Sequence, residues 1–459
     1  MPKLAVINPA TGKHIASVPA DDAASVRAKF EAARAAQPEW AARPLRERIG
    51  AIQKFRDAIV ASTERLARTL TAETAKPIAQ ARNELKGLIP RLDFFIAEAP
   101  AALRTERVFT DRKAGLTEQI GWEPLGVIAN ISAWNYPYFV GSNVFVPALL
   151  AGNAVLYKPS EFATRTGRAI ERLLHASGVP KAIFATLIGT GEVGAALLRQ
   201  PIDGVFFTGS FATGRRIARA VAGRMLKVQL ELGGKDPVYV CDDANIAAAA
   251  ASTADGAFYN NGQSCCSVER IYVQEKIYAP FVDAFVAEVK RFKAGDPARD
   301  TTYIGPLTRP AQLAVLEAQV ADARKKGATV LLGGGRLRRP ANAFAPTVLV
   351  DVDHRMAVMR EESFGPIIGI MSVRDDAEAL ALMNDTTYGL TAGVYTPNEK
   401  RATRLLAQVK SGSAYWNCCD RVSPRLPWSG VGHSGVGLTL SRHGIQAFAR
   451  PKAWHLRKP

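Results

Sequence analysis

The chain has 459 residues, too many for one ordinary domain, and 47% of them are hydrophobic against 22% charged, which excludes a disordered chain. Lys and Arg total 59 against 42 Asp and Glu, a formal net charge of +17, which permits a polyanionic partner but bears on association rather than fold. The five cysteines (Cys241 and the adjacent pairs Cys265–Cys266 and Cys418–Cys419) form no CxxC; this argues against a disulfide framework or a zinc site and suits a reducing compartment.

No apolar stretch of signal-peptide length opens the chain. The longest apolar run, Val144 to Tyr157, is broken by Pro147, Gly152 and Asn153 and is too short to span a bilayer, so a cytoplasmic protein without a membrane segment is expected. From about Asp21 to Pro100 apolar residues recur at helical spacing, as in Ile49, Ile52, Phe55 and Ile59, with Asp21 or Asp22 able to cap the first helix. Arg107 to Glu123 lacks that period and reads as extended strands. From Gly126 short apolar runs (127–131, 154–157, 184–188, 205–207) alternate with helix-like segments (164–176, 191–199), the signature of a parallel sheet with crossover helices. A second alternating block runs from Val238 to about Val373, with helices expected over 245–259, 279–292 and 309–326. The stretch from Pro424 to Gly437 reads as an ordered loop, and 453–457 as a terminal strand.

Gly189-Thr190-Gly191-Glu192-Val193-Gly194 fits GxGxxG after a strand and before a helix, where backbone N–H groups can hold a phosphate. The acidic residue expected about 20 positions later is missing, since Asp203 is too close, so a tight structural turn is the competing reading. Phe206 to Gly214 is a second strand, glycine turn and helix, in which Ser210 could donate to a phosphate or simply cap the helix. Neither is a P-loop. Together the two turns favour a dinucleotide.

Three side chains suggest covalent chemistry. Cys265, after Gly262-Gln263-Ser264, reads as an exposed nucleophile, with an inert buried thiol as the commoner alternative. None of the six histidines offers it a partner. Glu231, between two leucines, would carry a raised pKa suited to a general base, unless it is merely an exposed strand end. Asn135 in Trp134-Asn135-Tyr136-Pro137 offers an amide N–H as an oxyanion donor, or is an ordinary turn residue.

In this order the segments resemble the aldehyde dehydrogenase superfamily across nearly the whole chain. The likeness is carried by Asn8-Pro9-Ala10-Thr11-Gly12, Glu123-Pro124-Leu125-Gly126-Val127, Trp134-Asn135-Tyr136-Pro137 and Lys158-Pro159-Ser160-Glu161. It continues through Phe207-Thr208-Gly209-Ser210, Glu231-Leu232-Gly233-Gly234-Lys235, Gly262-Gln263-Ser264-Cys265 and Glu361-Glu362-Ser363-Phe364-Gly365-Pro366. The resemblance implies Cys265 as nucleophile, Glu231 as general base and Asn135 as oxyanion donor. It places Trp134, Lys158, Ser160, Glu161, Gly191, Thr208, Gly209, Ser210, Thr213, Leu232, Gly233, Glu362 and Phe364 at the cofactor, NAD with NADP possible. It places Tyr136, Ser264, Cys266 and Trp428 in the substrate pocket, and it calls for no metal. Because Glu231 is present, release of a free acid rather than an acyl-CoA is implied.

The implied architecture is α/β: a Rossmann-like cofactor domain in two parts (1–105 and 124–232), an oligomerisation hairpin (106–123), an α/β catalytic domain (233–433) and a C-terminal segment with an oligomerisation strand (434–459). A homodimer or homotetramer is expected, with an aldehyde as the partner molecule and neither nucleic acid nor membrane. Departures from the family pattern are Ala133 for a proline and the lysine-free Trp428-Ser429-Gly430-Val431-Gly432. Tyr136 and Trp428 fall where betaine- and aminoaldehyde-oxidising relatives carry part of an aromatic box, but the third box position is Asn143. A general aliphatic or aromatic aldehyde is the plainer reading, and Arg421 and Arg425 leave room for an acidic semialdehyde. Glu161 would repel a 2′-phosphate, whereas Lys158 and Ser160 could bind one. The competing class is a non-catalytic basic binding protein; the basic runs Arg215-Arg216, Lys325-Lys326 and Arg336 to Arg339 are short and scattered for that role.

Overall fold

The computed structural model describes residues 3–459, arranged around four sheets. The expected helical N-terminal region is three long helices, Ala23–Ala42, Leu45–Thr74 and Ile78–Ala102. Asp22 opens the first with a reciprocal cap: its carboxylate accepts from Ser25 N at 2.8 Å, and its own N–H donates to the Ser25 hydroxyl at 2.9 Å. The helical period buries Ile52, Phe55 and Ile59 completely.

The first large sheet has six strands in the order Gly435–Val436, Lys227–Glu231, Gly204–Thr208, Val127–Ile131, Ala154–Lys158, Phe184–Thr186. The last five are mutually parallel. Val127–Ile131, Ala154–Lys158 and Gly204–Thr208 are buried at every residue because helices cover both faces, which is why they read as unbroken apolar runs. The edge strand ends at Thr186, two residues earlier than expected. Beyond it Ile188 is claimed by Asp21, whose carboxylate accepts the Ile188 N–H at 2.7 Å.

The second large sheet has seven strands in the order Thr329–Leu332, Thr347–Val350, Ile367–Val373, Val268–Gln274, Asp236–Val240, Thr391–Tyr395, Ser413–Trp416. Only its first pair is antiparallel. A three-stranded antiparallel sheet joins Glu106–Asp111, Leu116–Pro124 and Ala449–Arg457. Its terminal strand begins four residues before the expected 453 because pairing with Leu116–Pro124 continues back to Ala449. Among the features that escaped the sequence reading, two lie at sheet edges. Lys3–Ile7 and His14–Pro19 form a hairpin, and Gly435–Val436, inside the expected loop, is a strand antiparallel to Lys227–Glu231. Among the described residues no helix is long and apolar enough to cross a membrane.

Candidate active site

In the six-stranded sheet the chain runs outward from Val127–Ile131 to Phe184–Thr186, then returns to the opposite side of Val127–Ile131 with Gly204–Thr208. That reversal leaves a crevice at the carboxyl ends of Val127–Ile131 and Gly204–Thr208, where open α/β sheets bind ligands. A cavity of about 710 Å³ lies there, lined at one end by Lys158, Ser160, Glu161 and Gly191, and at the other by Trp134, Thr208, Gly209, Ser210 and Thr213. A second cavity of about 300 Å³ shares Ala133, Trp134, Thr208, Gly209, Ser210 and Arg309 with it and continues past Leu232, Gly233, Glu362 and Phe364 to Asn135, Glu231 and Cys265. Every residue expected at the cofactor therefore lines one continuous groove that ends on the three expected catalytic side chains. Arg309, which borders both cavities, went unnoticed in the sequence because it follows no glycine turn.

The groove's walls fit a dinucleotide. Between the two ends Gly209 packs on Phe207: a Cβ there would stand 2.5 Å from Phe207 Cζ, so a larger residue would displace the ring. Ser210 caps the helix Phe211–Val221, whose N-terminus therefore borders the cavity with its first-turn N–H groups, the usual place for a phosphate. Gly191 and Gly194 of the GxGxxG line the outer end, beside the edge strand rather than at the switch point, which explains the missing acidic residue. Lys158 Nζ lies 4.0 Å from a Glu161 oxygen, and Ser160 donates to the same carboxylate at 3.3 Å.

At the inner end, Glu362 accepts from Gly234 N at 3.3 Å, and burial together with the nearby Glu269 charge raises its carboxyl to about 8. A buried ion pair fixes this segment. Lys235 Nζ lies 2.5 Å from Glu269, whose oxygens accept the N–H groups of Ser363 (3.0 Å) and Phe364 (3.1 Å). Phe364 then meets Trp134 edge-to-face at 5.6 Å. Lys235, which the motif reading quoted without explaining, and Glu269, which it did not flag, are thus positioning residues.

Cys265 is half-buried, at the end of a turn the sequence makes possible. Asn260, Asn261 and Gly262 have φ of 53°, 60° and 68°, a left-handed run tolerated by Asn and Gly but costly for other residues. Asn260 Nδ2 donates to Asn135 O (3.2 Å) and Gln263 O (3.0 Å), and Asn135 Nδ2 donates to Gln263 O at 3.2 Å. These bonds tie the Asn135 turn to the cysteine loop.

Glu231 is 4% exposed, which settles the buried reading over the exposed strand end. Burial lifts its carboxyl to about 7, opposed by the Thr439 hydroxyl and the charge of Arg91. The unforeseen strand Gly435–Val436 secures it: Gly435 pairs with Glu231, and Leu232 N donates to Ser434 O at 3.0 Å.

Cys266 stands in contrast to Cys265. It is buried, its thiol donates to Asp420 at 2.9 Å, and the neighbouring Cys265 sulfur, burial and the Asp420 charge hold it well above the ordinary thiol range. Since the thiolate is the nucleophile, this environment disfavours Cys266. Asp420 itself, a residue the sequence did not flag, is pushed up to about 7 by burial. Ser264 Oγ lies 3.5 Å from Cys266 Sγ. Trp428 pairs by backbone hydrogen bonds of 2.8 and 2.9 Å with Thr439, the partner of Glu231. Tyr136 stacks on Phe139, and Lys76 Nζ sits 3.8 Å from the Tyr136 ring centroid. The ring expected to form part of an ammonium box thus already carries a cation of the chain.

The groove thus ends on a cysteine, a buried glutamate and an asparagine, the set of side chains the sequence led to expect there. The sequence pattern described as the aldehyde dehydrogenase family matches residues 2–454. The chain is 35% identical to the 4,4′-diapolycopene aldehyde oxidase of a Methylomonas species, over 98% of this chain and 85% of the relative. Among solved structures it is similar to an Escherichia coli NADP-dependent enzyme (TM-score 0.96, 32% identity, 100% of this chain and 95% of that one). An NAD-dependent aldehyde dehydrogenase from Sinorhizobium meliloti also matches (TM-score 0.96, 32% identity, 100% and 92%). The chain belongs to the aldehyde dehydrogenase family and is an NAD(P)-dependent enzyme that oxidises an aldehyde.

Proposed function

We propose that Cys265, Glu231 and Asn135 carry this oxidation in two half-reactions and that the product is a free acid. The single observation that supports the assignment most is their convergence at the inner end of the dinucleotide groove. The Cys265 thiolate adds to the aldehyde carbon, forming a C–S bond, while the Asn135 amide N–H and the Cys265 backbone N–H donate to the developing oxyanion. A nicotinamide held beside Glu362 and Phe364 would supply the hydride acceptor, and loss of hydride from the tetrahedral carbon would leave a thioester on Cys265. Glu231 then takes a proton from water, the resulting hydroxide equivalent attacks the thioester, and the C–S bond breaks to release the acid and the thiolate. A carboxyl raised to about 7 is matched to that proton transfer near neutral pH.

Lys158, Ser160 and Glu161 would hold the adenosine ribose, Ser210 the pyrophosphate, and Glu362 with Phe364 the nicotinamide ribose. The Glu161 carboxylate at the outer end supports NAD over NADP. The boundaries 106–123 and 434–459 delimit an oligomerisation flap: its strands leave Trp454 and Leu456 on one face and Phe109 on the other, each between 41% and 49% exposed, apolar surface on an open-edged sheet suited to a second copy in a homodimer or homotetramer. Five free cysteines, one of them the nucleophile, support a reducing, cytoplasmic setting.

The test is NADH formation with a panel of aliphatic, aromatic, amino- and carboxy-aldehydes, wild type against Cys265→Ala. Turnover that disappears in the variant supports the reading. Substantial aldehyde-dependent NADH formation by Cys265→Ala overturns it.

A further inference from the structure

The helix Ile78–Ala102 delivers a buried arginine to the aromatic pair that follows Asn135. Arg91 is 3% exposed. Its Nη1 donates to Asn143 Oδ1 at 2.6 Å, and its guanidinium carbon lies 4.3 Å from the centroid of Phe139. Phe139 stacks on Tyr136, the residue that follows Asn135. Asn143 occupies the position where an ammonium box would need its third aromatic ring, and here it fixes one arm of a cation instead. The buried Nε has no partner.

The acids around Arg91 are otherwise engaged. Glu84 pairs with Lys76 and accepts the Tyr138 N–H at 2.9 Å. Glu231 is held by Thr439 and belongs to the chemistry. Arg91 sits against the Phe139–Tyr136 pair next to Asn135, and its charge favours the ionised form of Glu231. Burial lowers the guanidinium only to about 10, which leaves it charged at neutral pH.

A buried cation without a fixed counter-ion is unfavourable and is relieved by an anion brought in from outside. With Nη1 committed to Asn143, the remaining edge, Nε and Nη2, has the fork geometry that matches a carboxylate. Cations also cover both ends of the aromatic pair, Lys76 on Tyr136 and Arg91 on Phe139, which opposes an ammonium-bearing substrate. Arg421 and Arg425, the arginines suggested by the sequence, are exposed and lack this desolvation.

We propose that Arg91 determines substrate specificity by binding the distal carboxylate of an ω-carboxy aldehyde on its free Nε edge. This rests on the aldehyde oxidation proposed above. The product is then a dicarboxylate, and the reaction that supplies the substrate must generate a semialdehyde.

The experiment compares kcat/KM for ω-carboxy aldehydes of increasing length with their methyl esters, in wild type, Arg91→Met and Arg91→Lys. Wild type is expected to prefer one acid over its ester. Arg91→Met should lose about 10- to 100-fold on the acid, chiefly in KM, while the ester changes less than about threefold. Arg91→Lys, which keeps the charge but not the fork, should fall between them, and it decides the matter if the methionine variant does not fold. Equal losses on acid and ester, with a shifted pH midpoint of turnover, would show Arg91 to be only a counter-charge to Glu231 and would overturn the proposal. A wild type indifferent to the carboxylate would overturn it too. Absence of turnover with every aldehyde would instead refute the oxidation on which it rests.

Discussion

Replacing Glu231 by Gln removes the proposed base while keeping shape and volume. The structure places the carboxyl in a site that raises it from the ordinary 4.5 to about 7, a penalty on the ionised form of about 3 kcal/mol. Hydrolysis of the thioester should therefore follow the ionised fraction of Glu231: about one-tenth at pH 6, half at pH 7 and nine-tenths at pH 8. In the Gln variant the acyl-enzyme still forms, so rapid mixing should show a burst approaching one NADH per site. The steady state should then run about 10²- to 10⁴-fold slower and lose the midpoint near pH 7. Stability gives an independent reading. A carboxyl whose folded pKa lies above its unfolded one opposes folding increasingly from pH 4.5 to about 7, and the penalty is constant above that. Glu231→Gln should thus be stabilised relative to wild type by up to about 3 kcal/mol at pH 8 and by almost nothing at pH 4, read from denaturant midpoints. A variant with unchanged steady-state turnover and no burst would refute the reasoning.

Asn135→Ala should lower kcat by about 10²- to 10³-fold with little change in cofactor affinity, measured by steady-state kinetics and cofactor titration. Lys235→Met leaves Glu269 buried without its cation; denaturation should show a loss of about 3–5 kcal/mol, and cofactor KM should rise because Glu269 anchors Ser363 and Phe364. Glu161→Ser removes the charge proposed to face a 2′-phosphate, so the NADP to NAD ratio of kcat/KM should rise by about tenfold or more.

The buried strands and helices were legible because their burial imposes period. Val127–Ile131 and Thr164–Ala176 announce themselves by apolar runs and helical spacing, and the structure places them at the expected residues. The edge features were not. The hairpin Lys3–Ile7 with His14–Pro19 buries few side chains, and the two-residue strand Gly435–Val436 is defined only by its hydrogen bonds to Lys227–Glu231. Within the site, motif segments marked the groove because glycine turns and an Asn-Asn-Gly run leave local signatures. Arg91, Asn143, Asp420 and the Lys235–Glu269 pair act through contacts between residues distant in the chain, and no local pattern encodes those. The same limit applies to Tyr136, an aromatic in a suggestive position whose ring face is covered by Lys76, 60 residues earlier in the sequence.

The central claim is that the carbonyl carbon becomes bonded to Cys265 and not to its neighbour. The direct measurement is mass-spectrometric mapping of Glu231→Gln, mixed with NAD and an aldehyde that the wild type turns over, and quenched in acid during the NADH burst. The account places the acyl group on Cys265 at close to one per chain and leaves Cys266 unmodified. An acyl group on Cys266, or a full burst of NADH with no acylated cysteine, would contradict it.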